Sequence, residues 1–135
     1  MLSRILIVAV ALLGSACTTA MYNGPRKPSS ELATLVSDDS VISSIDGVKT
    51  PYSGGNFASF EVLPGEHSIG VMLNEVGGGG TWYSNEPVTI CLRAEAGKTY
   101  RVQIERQGVQ WRPYMVDDGS KRMVRNSCER QRPLR

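Results

Sequence analysis

The chain has 135 residues, a formal net charge of +2, one histidine and three cysteines. A charge this close to neutrality does not by itself indicate a partner class. One histidine and cysteines without a CxxC spacing are too few ligands for a zinc site, so we expect no metal and no cofactor.

An apolar segment follows the first positive charge at the N-terminus. Arg4 precedes nine apolar residues, 5–13, and then the small residues 14–16. This order of charged, apolar and small-residue regions predicts a secretory signal peptide over residues 1–16. The apolar segment is too short for a permanent membrane-spanning helix, which needs about 20 residues.

The cysteine after these small residues changes the interpretation. The sequence LLGSAC, residues 12–17, resembles the lipobox of bacterial lipoproteins, although Gly14 stands where a leucine is usual. The resemblance implies cleavage before Cys17, a diacylglyceryl group on its thiol and an acyl chain such as palmitate on its amine. It also implies a lipid-anchored envelope protein, and Thr18 favours the outer membrane, facing the periplasm. The alternative is an ordinary secretory signal peptide cut after GSA, with an incidental cysteine.

The cysteine count agrees with lipidation of Cys17. Three cysteines in an exported chain leave one thiol to explain, and lipidation of Cys17 leaves Cys91 and Cys128 to pair in an oxidising periplasm. A disulfide between them would close a loop of about 38 residues and stabilise the fold by about 4 kcal/mol in the chain-entropy estimate.

The mature chain divides by composition into three parts. Residues 17–30 carry the lipidated cysteine and a linker with two prolines, a glycine and several hydroxyl residues, which is typical of a tether. Residues 31–120 contain the strand-like segments and suit one domain. Residues 121–135 form a basic C-terminal tail with six basic residues and one acidic residue.

Short segments with period-two alternation follow one another through residues 31–120. Asp46-Gly47 predicts a type I′ hairpin turn, and Pro64-Gly65 predicts a type II turn between two strands. We expect the four glycines 77–80 to form a flexible crossing between strands. Short strands with Gly and Pro turns predict an all-β fold, a small antiparallel β-sandwich of about seven strands. The strand candidates are 31–37, 41–50, 57–73, 87–106 (the clearest hairpin) and 109–116, the last limited by Pro113 to an edge or a bulge.

Two of these segments resemble a known domain type. FEVLPGEHSIGVML, residues 60–73, is similar to the strand–PG turn–strand element of PEGA-like small β-sandwich domains. AEAGKTYRVQIE, residues 94–105, is similar to the element that follows it in uncharacterised bacterial lipoproteins of similar size. The resemblance implies a fold and an envelope location, and it transfers no catalytic residues.

His67 is the residue with the most potential for chemistry. It follows the turn at Pro64-Gly65 and lies next to Glu66, so a general base is one interpretation. The alternative, which we favour, is a ring that packs on a neighbouring strand and hydrogen-bonds the backbone. We also expect the pairs Asp38-Asp39 and Asp117-Asp118 to form turns and not a calcium site. The sequence therefore predicts a non-enzymatic protein.

The aromatic residues allow two interpretations. Trp82 and Tyr83, beside the glycine run, could bind a glycan or a lipid, since aromatic faces stack on sugar rings. The alternative is core packing, because a small domain needs large apolar side chains. We favour core packing for Trp111, which lies in a predicted strand, and leave both interpretations open for Trp82 and Tyr83.

The charge distribution is asymmetric. Residues 18–120 carry a formal charge of −4, whereas residues 121–135 carry +5. The basic tail could bind an envelope protein, an anionic lipid or a glycan, or it could fold back onto the acidic body. Export excludes nucleic acid. We therefore expect a structural or protein-interaction module on the periplasmic side of the outer membrane, with glycan or lipid binding as the alternative.

Overall fold

The computed structural model describes residues 18–38, 40–51, 58–77 and 80–128, without the side chains of residues 75–77, 81 and 82. The predicted signal peptide, Cys17, Asp39 and residues 129–135 lie outside this description. The described residues form strands and one short 3-10 helix (Ser29–Glu31), so the all-β prediction is confirmed. The strands are β1 (Thr18–Ala20), β2 (Ala33–Ser37), β3 (Ser40–Ile45), β4 (Val48–Lys49), β5 (Ser59–Val62), β6 (Gly65–Gly77), β7 (Gly80–Tyr83), β8 (Val88–Ala94), β9 (Thr99–Gln107), β10 (Gln110–Asp117) and β11 (Met123–Val124).

The strands form the two sheets of a sandwich. The first sheet has the order β1-β5-β2-β9-β10-β11, and the second has the order β4-β3-β6, with β7 and β8 both paired to β6. The N-terminal part of β6 pairs with β8 and its C-terminal part pairs with β7. Most pairs are antiparallel, but β1 with β5 and β2 with β9 are parallel.

The core lies between the two sheets and follows the predicted alternation. Ile69, Val71 and Leu73 of β6 are buried, as are Leu35 of β2 and Val102 of β9. Burial of such side chains stabilises the fold by about 1.5–3 kcal/mol each. The type I′ turn is also confirmed, because Asp46 and Gly47 have φ of 52° and 77°.

One predicted strand pairing is wrong. Residues 87–106 do not form a hairpin: β8 pairs with β6 in the second sheet, whereas β9 pairs with β2 and β10 in the first. Likewise, β5 and β6 flank the turn at Pro64-Gly65 but belong to different sheets. Two consecutive strands bury every second side chain whether they pair in one sheet or lie in two facing sheets. The alternation therefore did not distinguish the two arrangements.

The outer two glycines of the run 77–80 lie in strands, and Gly78 and Gly79 lie outside the described residues. Gly77 and Gly80 are paired residues, and they end the ladder between β6 and β7. Gly80 has a φ of 159°. The antiparallel ladder of β6 and β7 extends past Leu73, the last residue of β6 that pairs with β3.

The beginning of the segment predicted to be a tether, residues 18–21, lies along the first sheet, whereas residues 23–30 are exposed. Thr18, the first described residue, is already in β1 and pairs with Ser59 of β5. Met21 donates its backbone N–H to Glu61 O at 2.8 Å and packs against the core. Residues 18–20 are therefore part of the first sheet. Within the described ranges, no helix is long and apolar enough to cross a membrane.

Candidate functional site

The C-terminal residues 121–128 form a strap across one side of the sandwich. The strap contains β11, whose Val124 is paired with Met115 of β10 in the first sheet. It then reaches the second sheet, where the Cys91 N–H donates to Asn126 Oδ1 (2.9 Å) and the Ser127 N–H donates to Cys91 O (3.0 Å). The strap therefore bridges the open edges of β10 and β8.

A disulfide fixes the end of the strap. The Cys91–Cys128 bond predicted from the cysteine count is present, with 5.0 Å between the two Cα atoms. The Ser127 hydroxyl also donates to Glu66 Oε2 at 2.9 Å. Part of the predicted basic tail is thus held against the second sheet, and its charged residues Lys121, Arg122 and Arg125 are exposed.

A cleft of about 380 Å³ lies under the strap, between β8 and β10. Ile90 and Met115 at its base are buried, whereas Met123 at its mouth is 65% exposed. The ion pair between Arg112 and Glu105, with 2.8 Å from Nη2 to Oε2, lies at the rim. The apolar lining residues are Val88, Ile90, Pro113, Met115, Met123 and Val124.

This cleft has the size and the lining of a small-ligand site. Such sites occupy about 300–1,000 Å³ and combine an apolar lining with a few polar groups that orient the ligand. Here the polar lining includes the rim ion pair together with Thr89, Tyr114, Arg125 and Asn126. The arrangement can bind an apolar chain with a polar or charged end. Sequence reasoning missed the cleft because its two walls, β8 and β10, come together only in the tertiary structure.

An ion-pair cluster joins the two predicted acidic turns. The Arg101 guanidinium contacts Asp38 through Nη1 (2.5 Å to Oδ1) and Asp118 through Nε (3.0 Å to Oδ1). Arg101, and after it Lys121, lowers the pKa of Asp118 below its ordinary value. Asp117 Oδ1 accepts the Gly119 N–H at 3.0 Å, as in an Asx turn. Asp117 and Asp118 therefore stand where β10 passes into a turn and Asp38 follows the end of β2, whereas Asp39 lies outside the described residues.

His67 occupies a structural position. Its side chain is 12% exposed, with Nδ1 at 2.5 Å from Asp46 Oδ2 and Nε2 at 2.6 Å from Leu63 O. Since Leu63 O only accepts, Nε2 donates to it. Both ring nitrogens thus have protein partners, and Asp46 also accepts the Ser68 N–H through Oδ1 (2.9 Å). His67 joins the β3–β4 turn to β6 through these contacts.

None of the aromatic residues considered for ligand binding is found among the residues that line the cleft. Tyr83 in β7 is 71% exposed and does not line the cleft. Trp82 is in the same strand, but its side chain is not among those described. Trp111 in β10 packs against the core, in agreement with the prediction for this residue.

Neither a group of metal ligands nor a similar known protein identifies a function for the described residues. Among the residues that the structure describes, no three His, Cys, Asp or Glu side chains are grouped as metal ligands. Comparisons of the chain with protein-family models, with curated proteins and with solved structures give no match. The proposals below therefore rest on the residues and their geometry.

Proposed function

We propose that the protein is a non-enzymatic lipoprotein of the bacterial envelope, anchored through Cys17 to the outer membrane and facing the periplasm. The observation that carries the proposal is the Cys91–Cys128 bond, which uses two of the three cysteines. The remaining one, Cys17, stands at the end of the lipobox-like sequence. Disulfides are typical of the oxidising compartments to which such a signal peptide directs a chain.

The sandwich then serves as a protein-interaction module, and the strap is its best candidate surface. Lys121, Arg122 and Arg125 stand on a segment that is tied to both sheets, so their charges are presented in a fixed place. Holding basic side chains in position reduces the entropy lost on binding. An acidic face on another envelope protein is the complementary surface.

Two measurements test this proposal. The intact mass of the protein purified from bacterial membranes should show a mature chain that begins at Cys17 and carries acyl groups, and Cys17→Ser should abolish the adduct. Pull-down of the lipidated protein from envelope extracts should then recover a partner that is lost with Arg122→Glu and Arg125→Glu together. Arg26→Glu, at an exposed arginine outside the strap, is the matched control. A partner that survives the strap substitutions would contradict the surface, and a mature chain without lipid would contradict the anchor.

The cleft supports a second candidate function, the binding of a lipid or another apolar ligand. Its apolar base and charged rim fit one acyl chain with a polar head. A fluorescent fatty acid should bind the purified protein, and Met123→Glu at the mouth should abolish binding. Val48→Glu, at an exposed valine outside the cleft, should not. The glycan alternative rests on Tyr83, and loss of peptidoglycan-fragment binding in Tyr83→Ala would support it.

A further inference from the structure

Arg125 is the residue at which the strap crosses from one sheet to the other. Val124, before it, pairs with Met115 of β10, and Asn126, after it, accepts the Cys91 N–H of β8. Arg125 is exposed and lines the cleft. The strap therefore places one guanidinium at the end of the cleft where it joins the two sheets.

The cleft extends from the strap along two strands. Apart from the strap and Glu105, it is lined by residues 88–91 of β8 and by residues 112–115 of β10. Cys91 and Met115 are the last of these residues in each strand, and both are held by the strap. Three residues of strand correspond to about 10 Å. The cleft therefore begins at the strap and continues for about this length away from it.

The two arginines of the cleft differ in what they already bind. Arg112 donates through Nε and through Nη2 to Glu105 Oε2, each at 2.8 Å, so this pair carries no net charge. Arg125, in contrast, has no ion pair with any residue that the structure describes. The cleft thus presents one uncompensated positive charge, and this charge lies at the strap.

The side-chain amide of Asn126 adds two donors next to this charge. Its Oδ1 accepts the N–H of Cys91 at 2.9 Å and the N–H of Cys128 at 3.1 Å. Because these two donors fix the position of the oxygen, Nδ2 carries two N–H groups, and no described residue accepts from them. A guanidinium and an amide NH2 only donate, and hydrogen bonds to an ionised oxygen are the stronger ones. The strap end of the cleft is therefore suited to an anion.

Prolines on both sheet edges disfavour a peptide strand as the occupant of the cleft. Every second residue of an antiparallel strand turns its N–H and C=O to the same neighbour. Cys91 turns both groups to the strap, and Pro87, four residues earlier, stands on the same edge. Asp117 of β10 also turns both groups to the strap, and Pro113 stands on that edge four residues earlier. Proline has no N–H to donate, so each edge is interrupted for an added strand. An alkyl chain needs no such donor.

We infer that the cleft binds a single-chain amphiphile with an anionic head group, a carboxylate or a phosphate, and that Arg125 and the Asn126 amide select this head. The inference rests on the proposal that the cleft binds an apolar ligand, and it is independent of the lipid anchor. The head lies at the strap, and the alkyl chain packs on the buried side chains of Ile90 and Met115.

Calorimetric titration at pH 7 tests the inference on the full chain with Cys17→Ser, so that neither anchor lipid nor detergent competes. Four decyl compounds share one alkyl chain and differ in the head: decanoate, decyl phosphate, decanol and decyltrimethylammonium. We expect the two anions to bind about fivefold tighter than decanol, as one partly exposed ion pair contributes, and the cation to bind weakest. Each methylene added to the carboxylate should tighten binding about fourfold until the cleft is filled.

Two variants test the residues that select the head. Arg125→Gln should weaken binding of both anions about fivefold. Asn126→Asp keeps an acceptor for the Cys91 N–H but replaces the donors with a negative charge, so the cation should then bind tighter than decanoate. The matched control is Arg93→Gln, at an exposed arginine of β8 that does not line the cleft, and it should keep the preference for anions. Melting temperatures verify that each variant is folded.

The outcomes separate the inference from the cleft function on which it rests. Equal affinities of the parent chain for decanoate, decyl phosphate and decanol would overturn the inference and leave an apolar ligand in place. An equal loss of anion binding in Arg125→Gln and Arg93→Gln would assign the preference to net charge and also overturn it. Binding of none of the four compounds, or binding only of a peptide of alternating Val and Thr, would overturn the lipid function as well. Tighter binding of decanoate than of decyl phosphate would support a free fatty acid, and the reverse order would support a lipid phosphate.

Discussion

Reduction of the Cys91–Cys128 bond should destabilise the protein strongly, because the bond closes a long loop. The two cysteines are 37 residues apart in sequence, and the chain-entropy estimate for this loop is about 4 kcal/mol of unfolding free energy. A domain of this size has an unfolding entropy of about 0.25 kcal/mol/K, so the melting temperature should fall by about 16 °C.

The local effect of reduction should be release of the strap. Two hydrogen bonds would remain to hold the strap to β8: the Cys91 N–H donates to the side-chain oxygen Oδ1 of Asn126, and the Ser127 N–H donates to Cys91 O. Each contributes about 1 kcal/mol, which is too little to keep the strap closed without the disulfide. Trypsin should then cut after Arg122 and Arg125 within the strap.

Calorimetry with and without reductant measures the melting temperature, and limited trypsin digestion followed by mass spectrometry measures release of the strap. The double variant Cys91→Ala/Cys128→Ala is the control, because reductant should not change its melting temperature. A melting temperature that reductant leaves unchanged in the native protein, or recovery of Cys128 as a free thiol, would refute the reasoning.

Three further predictions concern the polar groups. The pKa of Asp118 is lowered mainly by Arg101, so its contribution to stability is present above about pH 4 and is lost as the pH falls through the lower folded value. Urea unfolding between pH 7 and pH 3 should therefore show that the unfolding free energy of Asp118→Asn falls less with acid than that of the native protein. An equal fall of the unfolding free energy in both proteins would contradict the ion-pair assignment. His67→Ala should cost about 1–3 kcal/mol of unfolding free energy, since two hydrogen bonds of the ring are lost, while membrane fractionation and partner recovery stay unchanged. Loss of function in cells at unchanged thermal stability would show that His67 is more than structural. Asn126→Ala removes the acceptor for the Cys91 and Cys128 N–H groups, so trypsin should cut after Arg125 faster even with the disulfide intact. An unchanged cleavage rate there would show that the disulfide alone holds the strap.

Local patterns in the sequence determined the fold class, the turns and the cysteine pairing. Alternating apolar residues in β6 and β9 predicted strands with one buried face, since the strand period places every second side chain on the same side. Asp46-Gly47 predicted its turn because both residues adopt a positive φ there. The odd number of cysteines predicted the bond between Cys91 and Cys128.

Only the tertiary structure decided which strands are neighbours. The connection at residues 95–98 leads from one sheet to the other, because four residues span the roughly 10 Å between packed sheets as readily as they turn within one. The alternation of apolar residues indicates which face of a strand is buried, but it does not indicate which strand pairs with it. For the same reason the sequence did not reveal the cleft between β8 and β10 or the Arg101 cluster. Each of these depends on pairings between residues that are distant in the chain.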